Sequence, residues 1–249
     1  MSEYSDRLTE PDANLREALL RRYGRVHPDG FWQRLAFQGK RLAWKAVVGS
    51  AYVFKRLLDI VAALILLILL ALPLLTIALL IRLESPGPVL FKQTRVGRWG
   101  QLFTMWKFRS MYIDAEARKA ALLAANESSG GVIFKMKRDP RITKVGRFIR
   151  KASIDELPQL WNVLIGDMSL VGPRPALPSE VDQYSLADRR RLEVIPGITC
   201  IWQVSGRSDI PFPEQVKLDV QYIESSSFWQ DILILLKTVP AVILGRGAY

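Results

Sequence analysis

Two adjacent carboxylates, Asp155 and Glu156, are the residues of this chain whose types and surroundings most suggest chemistry. A basic stretch that includes Arg150 and Lys151 precedes them, and the run Gly172-Pro173-Arg174-Pro175 follows. Such a setting suits phosphate chemistry, because a carboxylate can attack phosphorus or bind a metal ion while cations hold an anionic substrate. Asp and Glu are also common at helix starts, so the rest of the chain must decide.

The local sequence around the pair predicts a helix start. Ser153-Ile154-Asp155-Glu156 matches a capping box with Ser153 as the N-cap, whereas Pro158 favours a helix that begins just after the pair. In either arrangement the helix dipole and the neighbouring cations keep Asp155 ionised. An ionised aspartate is a competent nucleophile toward phosphorus and a hard ligand for Mg²⁺.

Arg174 lies between two prolines, which restrict its backbone to extended geometry and present its guanidinium at low entropic cost. Arginine binds phosphate through two parallel hydrogen bonds, so this segment is a candidate phosphate contact. A surface turn with a solvated arginine is the alternative.

Composition removes several competing chemistries. The 249 residues hold one histidine, His27, and one cysteine, Cys200, which excludes an internal disulfide and disfavours a Ser-His-Asp triad or a histidine-rich zinc site. The net charge of +11 favours polyanionic partners such as nucleic acid, anionic lipid or phosphorylated substrates.

One apolar block favours the membrane among these partners. Residues 60–81 carry no charge, and sixteen of the 22 are Leu, Ile or Val, enough to span a bilayer as a helix. Pro73 predicts a break inside the block, and basic residues flank it on both sides. A re-entrant helix-break-helix hairpin that leaves the membrane on the side it entered satisfies both features, and a kinked spanning helix remains open. Residues 31–56 are basic and aromatic, which is typical of a membrane-surface helix.

The remainder predicts a mostly helical α+β domain. The predicted strands cover residues 89–93, 102–108 and 132–137, and the predicted helices cover residues 114–125, 142–151, 159–165, 186–194, 212–224 and 228–236.

Several ordered motifs between residues 54 and 249 resemble one family, the bacterial sugar transferases, which are monotopic phosphoglycosyl transferases. The motifs are KRLLDI (55–60), FKQTRVG (91–97), KFRSM (107–111), DELPQLWNV (155–163), GDMS (166–169), GPRP (172–175), PGIT (196–199) and GRGAY (245–249). The second half is most similar to the hexose-1-phosphate transferases of exopolysaccharide and O-antigen pathways.

The resemblance implies a reaction and a site. A sugar-1-phosphate would pass from a UDP-sugar to polyprenyl (undecaprenyl) phosphate with release of UMP, through a covalent phosphosugar on Asp155. It implies Mg²⁺ at Asp155, and Glu156 as acid/base or orienting partner. Substrate-binding positions follow from the same motifs: Lys107, Arg150, Arg174, Arg207 and Asp231. It also implies a re-entrant hairpin broken at Pro73, although Leu72 stands where some members have serine.

We therefore expect three regions: a basic, amphipathic extension (1–50), a re-entrant hairpin (51–83), and a cytoplasmic catalytic domain with interfacial helices (84–249). The expected location is the bacterial inner membrane, with membrane lipid as a further partner and a homo-oligomer left open. A non-catalytic adaptor that binds anionic lipid is the rival interpretation. A nucleic-acid-binding protein is disfavoured, because no nucleic-acid motif accompanies the basic charge.

Overall fold

The computed structural model describes residues 31–115, 117–118 and 139–244, and the chain divides into two units, residues 1–54 and 55–249. The predicted strand at 132–137 and most of the predicted helix at 114–125 lie outside the described residues. All contacts given below lie within the second unit. The named elements, in chain order, are α1 (Phe31–Glu84), β1 (Leu90–Val96), β2 (Leu102–Phe108), α2 (Lys144–Lys151), α3 (Gln159–Ile165), β3 (Ser169–Val171), α4 (Pro178–Val181), β4 (Gly197–Thr199), α5 (Ile201–Ser205), α6 (Phe212–Ser225) and α7 (Phe228–Leu244).

Helix α1 contains the apolar block. Within it, Tyr52–Glu84 has a mean hydropathy of 3.2 and is long and apolar enough to cross a membrane. Its side chains are largely uncovered by the protein, with Leu69 at 69% and Leu72 at 75% exposure. A bare apolar surface of this extent is compatible with a membrane anchor.

Pro73 lies inside α1, which continues through it without interruption. Proline has no N–H for the carbonyl of Leu69, so one helical hydrogen bond is missing at this point. Nearby, the Thr76 hydroxyl donates to the Leu72 carbonyl at 3.0 Å, an arrangement that often bends helices. The re-entrant hairpin stays a prediction, with two bend-promoting features at the predicted place.

Both ends of the apolar segment are fixed to the same domain. At the first end, Arg56 donates to the Leu164 carbonyl at 3.1 Å, and Asp59 accepts from the Leu170 N–H at 3.1 Å. At the second end, Arg109 is buried and donates to the Ser85 carbonyl at 2.7 Å.

Glu84, the last residue of α1, makes a further connection at the second end. Its two carboxylate oxygens accept the first N–H groups of α2, from Lys144 at 2.6 Å and Val145 at 2.9 Å. A carboxylate satisfies otherwise orphaned N–H groups there and complements the helix dipole. Thr143, the N-cap of α2, accepts from the Gly146 N–H at 2.8 Å.

Strands β1 and β2 form the predicted antiparallel hairpin. Phe91 pairs with Lys107, Gln93 with Met105, and Arg95 with Phe103. Because side chains alternate between the faces of a strand, these residues share one face of the hairpin.

A second, parallel pair joins β3 to β4, with Ser169 opposite Gly197 and Val171 opposite Thr199. Gly197 lies so close to the chain after β3 that an added Cβ would come within 2.0 Å of the Gly172 nitrogen. Glycine at 197 therefore permits the close approach that positions the segment from 172 onward.

Buried side chains pack in two clusters on either side of the hairpin. One contains Met105, Val163 and Met168 with Ala63 of α1, and the other contains Phe108 and Ile149 with Ile81 of α1. Each cluster includes a residue near one end of the apolar segment, so both ends of this segment pack into the core of the domain.

The predicted secondary structure is largely confirmed within the described residues. The strand at 102–108 and the helix at 159–165 agree with β2 and α3, and helices at 212–224 and 228–236 correspond to α6 and the longer α7. Residues 186–194 contain a short 3₁₀ helix, Asp188–Leu192, in place of the predicted α-helix. The pair β3–β4 was not predicted.

Candidate active site

The two carboxylates lie in a 3₁₀ turn, Ile154–Glu156, between α2 and α3. The predicted capping box is wrong, because Ser153 is left-handed (φ 54°, ψ 21°) and makes no capping bond, whereas an N-cap residue needs an extended backbone. The alternative, in which the pair precedes the helix, is confirmed by α3 starting at Gln159. A left-handed serine is strained by about 1–2 kcal/mol, and strain of this kind clusters at functional sites.

Glu156 is held by two cations through a single oxygen. Its Oε1 accepts from Lys107 Nζ at 2.8 Å and from Arg174 Nη1 at 3.1 Å. Burial opposes ionisation, but the charges of Lys107 and Arg174 outweigh it and hold the pKa of Glu156 far below its usual range. Glu156 is therefore ionised at neutral pH and occupied as a bridge between β2 and the Arg174 segment.

Asp155 is in the opposite situation. It is 9% exposed, and within the described part of the chain no donor lies within hydrogen-bonding distance of its carboxylate. Burial raises the pKa of Asp155, while the charges of Lys107, Arg150 and Arg174 act in the other direction. Its oxygens remain available to a substrate or a metal ion.

Lys107 reaches Glu156 from β2, and a buried amide fixes that strand against α3. Asn162 accepts from the Trp106 N–H at 3.1 Å and donates to the Thr104 carbonyl at 2.7 Å. A side chain that pairs with both backbone groups in this way takes the place of a third strand. Burial lowers the pKa of Lys107, and Glu156 partly offsets the effect.

Arg174 is fixed by the backbone on its C-terminal side. Val96 of β1 donates its N–H to the Ala176 carbonyl at 2.9 Å, and Arg95 Nη1 donates to the Pro175 carbonyl at 2.9 Å. On the other side, Gly172 is packed against Gly197. Contact with Glu156 raises the pKa of Arg174, which stays a cation.

Arg150 and Arg207 act on the pair by charge. Arg150, in the last turn of α2, lowers the pKa of Asp155. Arg207 is left-handed (φ 52°), and its charge interacts with Glu156 while burial lowers its own pKa. The structure thus groups Lys107, Arg150, Arg174 and Arg207 around the carboxylates.

Asp231 is engaged elsewhere. Its carboxylate forms an ion pair with Lys55 at the start of the apolar segment and accepts from the Tyr222 hydroxyl at 2.8 Å. Lys55 and Tyr222 also donate to the Val171 carbonyl, at 3.3 and 3.1 Å. Val171 directly precedes the Gly172-Pro173-Arg174 segment, so Asp231 supports the base of that segment.

Three residues of the site were not predicted: Gln93, Arg95 and Asn162. Gln93 and Arg95 are two residues apart in β1 and share the face that carries Lys107. Their shared parity with Lys107 across the predicted hairpin was the signal that could have identified them. Nothing local marked Asn162.

The site offers Mg²⁺ one uncommitted carboxylate, Asp155. No group of three His, Cys, Asp or Glu side chains that could hold a metal ion occurs among the described residues. Mg²⁺ is commonly bound by one or two carboxylates together with substrate phosphates and water. Asp155, with uncommitted oxygens, suits that arrangement, whereas Glu156 is occupied by two cations.

The two carboxylates are enclosed by cations and joined to a long apolar helix that is compatible with a membrane anchor. Such a site has the charges needed to bind anionic groups. The particular family is shown by sequence comparison: the chain belongs to the bacterial sugar transferase family, whose model matches residues 50–245.

Individual relatives agree with this family. The chain is 52% identical over 200 residues to the "Galactosyl transferase CpsE" of Streptococcus agalactiae and 44% identical over 203 residues to the "Undecaprenyl-phosphate galactose phosphotransferase" of Salmonella typhimurium. Each match covers 80% of this chain but only 44% and 42% of the relatives, so the chain spans less than half their length. The "UDP-glucose:undecaprenyl-phosphate glucose-1-phosphate transferase" of Caulobacter vibrioides is 43% identical over 203 residues, covering 78% of this chain and 72% of the relative.

Proposed function

We propose that this chain transfers a sugar-1-phosphate from a UDP-sugar to polyprenyl (undecaprenyl) phosphate and releases UMP. The names of the Salmonella and Caulobacter relatives describe reactions of this kind. The reaction would be the first membrane step of exopolysaccharide, capsule or O-antigen assembly. The observation that carries the proposal is the unequal use of two adjacent carboxylates, one bound by two cations and the other open.

Asp155 is the nucleophile in this proposal. One of its oxygens attacks the phosphorus that bears the sugar, an O–P bond forms, and the bond to the other phosphate breaks with UMP leaving as the anion. A phosphate oxygen of the lipid then attacks the same phosphorus, and the bond to Asp155 breaks to regenerate the carboxylate. The raised pKa of Asp155 favours the second step less than the first, because a more basic carboxylate is a better nucleophile and a poorer leaving group.

Glu156 orients cations in this proposal and does not transfer protons. Its depressed pKa leaves it ionised, and both of its cations lie on a single oxygen. Lys107 and Arg174 are thereby held next to Asp155, where their charges offset the repulsion between a carboxylate and an anionic phosphate. Mg²⁺ held by Asp155 would supply further neutralisation of the diphosphate.

The catalytic domain lies on one face of the membrane, which we take as the cytoplasmic face of the bacterial inner membrane. Asp59 and Glu84 are 25 residues apart, about 37 Å along a straight helix, more than the ~30 Å of a hydrocarbon core. A helix perpendicular to the bilayer would carry its two ends to opposite faces. Contact of both ends with one domain instead supports a re-entrant path bent near Pro73.

Helix α7 supports the same orientation. Trp229, Leu233 and Leu236 form an exposed apolar stripe at helical spacing, at 76%, 51% and 65% exposure. Such a stripe suits a helix lying in the membrane interface.

Cysteine labelling tests the topology of the apolar segment. Residues 50 and 90, substituted singly with cysteine, should react from the same side of sealed vesicles, and labelling from opposite sides would exclude the hairpin.

The reaction is tested with purified protein, polyprenyl phosphate and a panel of UDP-sugars. We expect Asp155→Asn to abolish UMP release and the mass of an added sugar phosphate on the protein, and Asp182→Asn, at an exposed aspartate, to leave both unchanged. Wild-type UMP release from Asp155→Asn would refute the nucleophile. Absence of UMP release from the wild type across the panel would leave the non-catalytic adaptor.

A further inference from the structure

Arg95 is a buried cation without a carboxylate partner. It is 8% exposed, and within the described residues no carboxylate oxygen lies within ion-pairing distance of its guanidinium. Burial, together with the nearby charge of Arg174, lowers the pKa of Arg95 to about 10, and the charges of Glu180 and Glu156 offset this only in part. Burying an unpaired charge destabilises the folded protein unless a counter-charge is provided. Its position beside Arg174 indicates that the counter-charge comes from a bound anion.

The hydrogen bonds of Arg95 fix the orientation of Gln93. Arg95 Nε and Nη2 donate to Gln93 Oε1 at 3.1 and 2.7 Å. Arginine has no acceptor, so the amide oxygen of Gln93 must face it, and the amide nitrogen must face away. The N–H₂ group of Gln93 is therefore held as a free donor by a pre-organised partner.

Gln93 and Lys107 share one face of the hairpin. Gln93 lies opposite Met105, two residues before Lys107, so the two side chains are diagonal neighbours on adjacent strands. Arg95 Nη1 meanwhile holds the Pro175 carbonyl, next to Arg174. Arg95 and Gln93 thus lie beside Arg174 and Lys107, the two cations that hold Glu156.

We propose that Gln93 and Arg95 form an additional arm of the donor site, in which the Gln93 amide donates to a diphosphate oxygen of the nucleotide and Arg95 orients that amide. Gln93 touches the substrate, and Arg95 is a positioning residue whose charge the diphosphate neutralises. The inference rests on the proposed function, since it takes a nucleoside diphosphate as the ligand.

The test uses Gln93→Glu in the full-length protein in detergent, with UDP as the probe. The introduced carboxylate has the same shape and faces Arg95 Nε and Nη2, so the fold should be retained and the thermal midpoint unchanged or raised. The Gln93→Glu substitution removes the N–H₂ donor and gives Arg95 a counter-charge even when no ligand is bound. We expect the Kd for UDP to rise about 10- to 100-fold, the effect of losing one hydrogen bond to a charged group.

Two further variants separate the alternatives. Gln93→Met removes the donor without adding charge, and we expect a rise in Kd of about tenfold. Gln101→Glu introduces the same charge at an exposed position at the far end of the hairpin, and we expect the wild-type Kd. A Kd within twofold of wild type for both Gln93 variants would show a purely structural role and overturn the proposal.

An equal loss of UDP binding in Gln101→Glu and Gln93→Glu would also overturn it, because a general charge effect would then explain the result. If the wild type itself fails to bind UDP, the proposed function fails first and this proposal fails with it. Wild-type binding of UDP with unchanged Gln93 variants refutes only the additional arm, so the two failures are distinguishable.

Discussion

The substitution Glu156→Gln distinguishes a cation-orienting role from a proton-transferring role. Glutamine keeps the shape and one acceptor oxygen but removes the charge that Lys107 and Arg174 share. The two cations would then face each other without a counter-charge. Both the free energy of unfolding and the ionisation of Asp155 should respond.

The magnitude follows from the burial of the three side chains, at 14% exposure for Lys107, 17% for Glu156 and 33% for Arg174. Removing one partner of a fully buried pair is destabilising by about 3–5 kcal/mol. Because Arg174 is partly solvated and glutamine still accepts one bond, we expect a loss of about 2–4 kcal/mol. For a domain of this size, such a loss lowers the thermal midpoint by roughly 5–15 °C.

The sign of the pH dependence follows from the depressed pKa of Glu156. A carboxylate with a lower pKa in the folded state stabilises the protein above the pKa of the unfolded chain, about 4.5, and loses this effect as pH falls. The difference between wild type and Glu156→Gln should therefore be complete near neutral pH and shrink in acid.

Thermal unfolding of both proteins, with and without UDP, measures this effect. The nucleotide should raise the midpoint more in the variant than in the wild type, because its phosphates replace the lost counter-charge. Glu193→Gln, which removes an exposed partner of Arg190, is the matched control and should change stability by less than about 0.5 kcal/mol. An unchanged midpoint in Glu156→Gln, together with loss of one limb of the pH profile of UMP release, would refute the orienting role.

Two further outcomes are expected from other parts of the domain. Ser153→Gly should relieve the left-handed strain and raise the free energy of unfolding by about 1 kcal/mol without lowering UMP release. Ser153→Val should destabilise the folded protein, and equal thermal midpoints for the two variants would contradict the strain. Burial raises the pKa of Asp219 to about 6. The stability that the protonated Asp219 contributes is therefore complete below about pH 4 and is lost as pH rises through 6, a decrease of about 3 kcal/mol in the free energy of unfolding. The stability of the wild type relative to Asp219→Asn, from chemical denaturation between pH 4 and 7, should fall over that range, and a constant difference would rule this out.

The elements of the fold that the sequence predicted are those with a local pattern. Alternating residues and a glycine-containing turn marked the hairpin, and Gly166 marked the end of α3, where it is left-handed at φ 105°. Strands β3 and β4 are three residues each and, within the described residues, pair with one another across 28 residues of chain. No pattern of three residues distinguishes such a strand from a loop, so the pairing depends on the close approach of Gly172 and Gly197.

The residue types of the candidate site were predictable from the sequence, but their arrangement was not. The sequence supplied Asp155, Glu156 and a surplus of cations, and hence the prediction of a phosphate site. It did not show that one carboxylate would take two cations, because Lys107 and Arg174 lie 49 and 18 residues away from Glu156. Ser153 was misassigned for a related reason: a capping-box pattern gives residue types and not backbone angles, and the backbone of Ser153 is left-handed.

The apolar helix takes part in positioning the site. At its second end, Glu84 caps α2, the helix that carries Arg150. Arg109, two residues after Lys107, donates to the carbonyls of Ile81 in α1 and of Ser85 just after it. At its first end, Lys55 donates to the carbonyl of Val171, which leads into the Arg174 segment. Each of the two cation-bearing parts of the site is thus tied to a different end of the apolar segment. Glu156 bridges Lys107 and Arg174, so its carboxylate joins the two parts of the site that are tied to different ends of the segment.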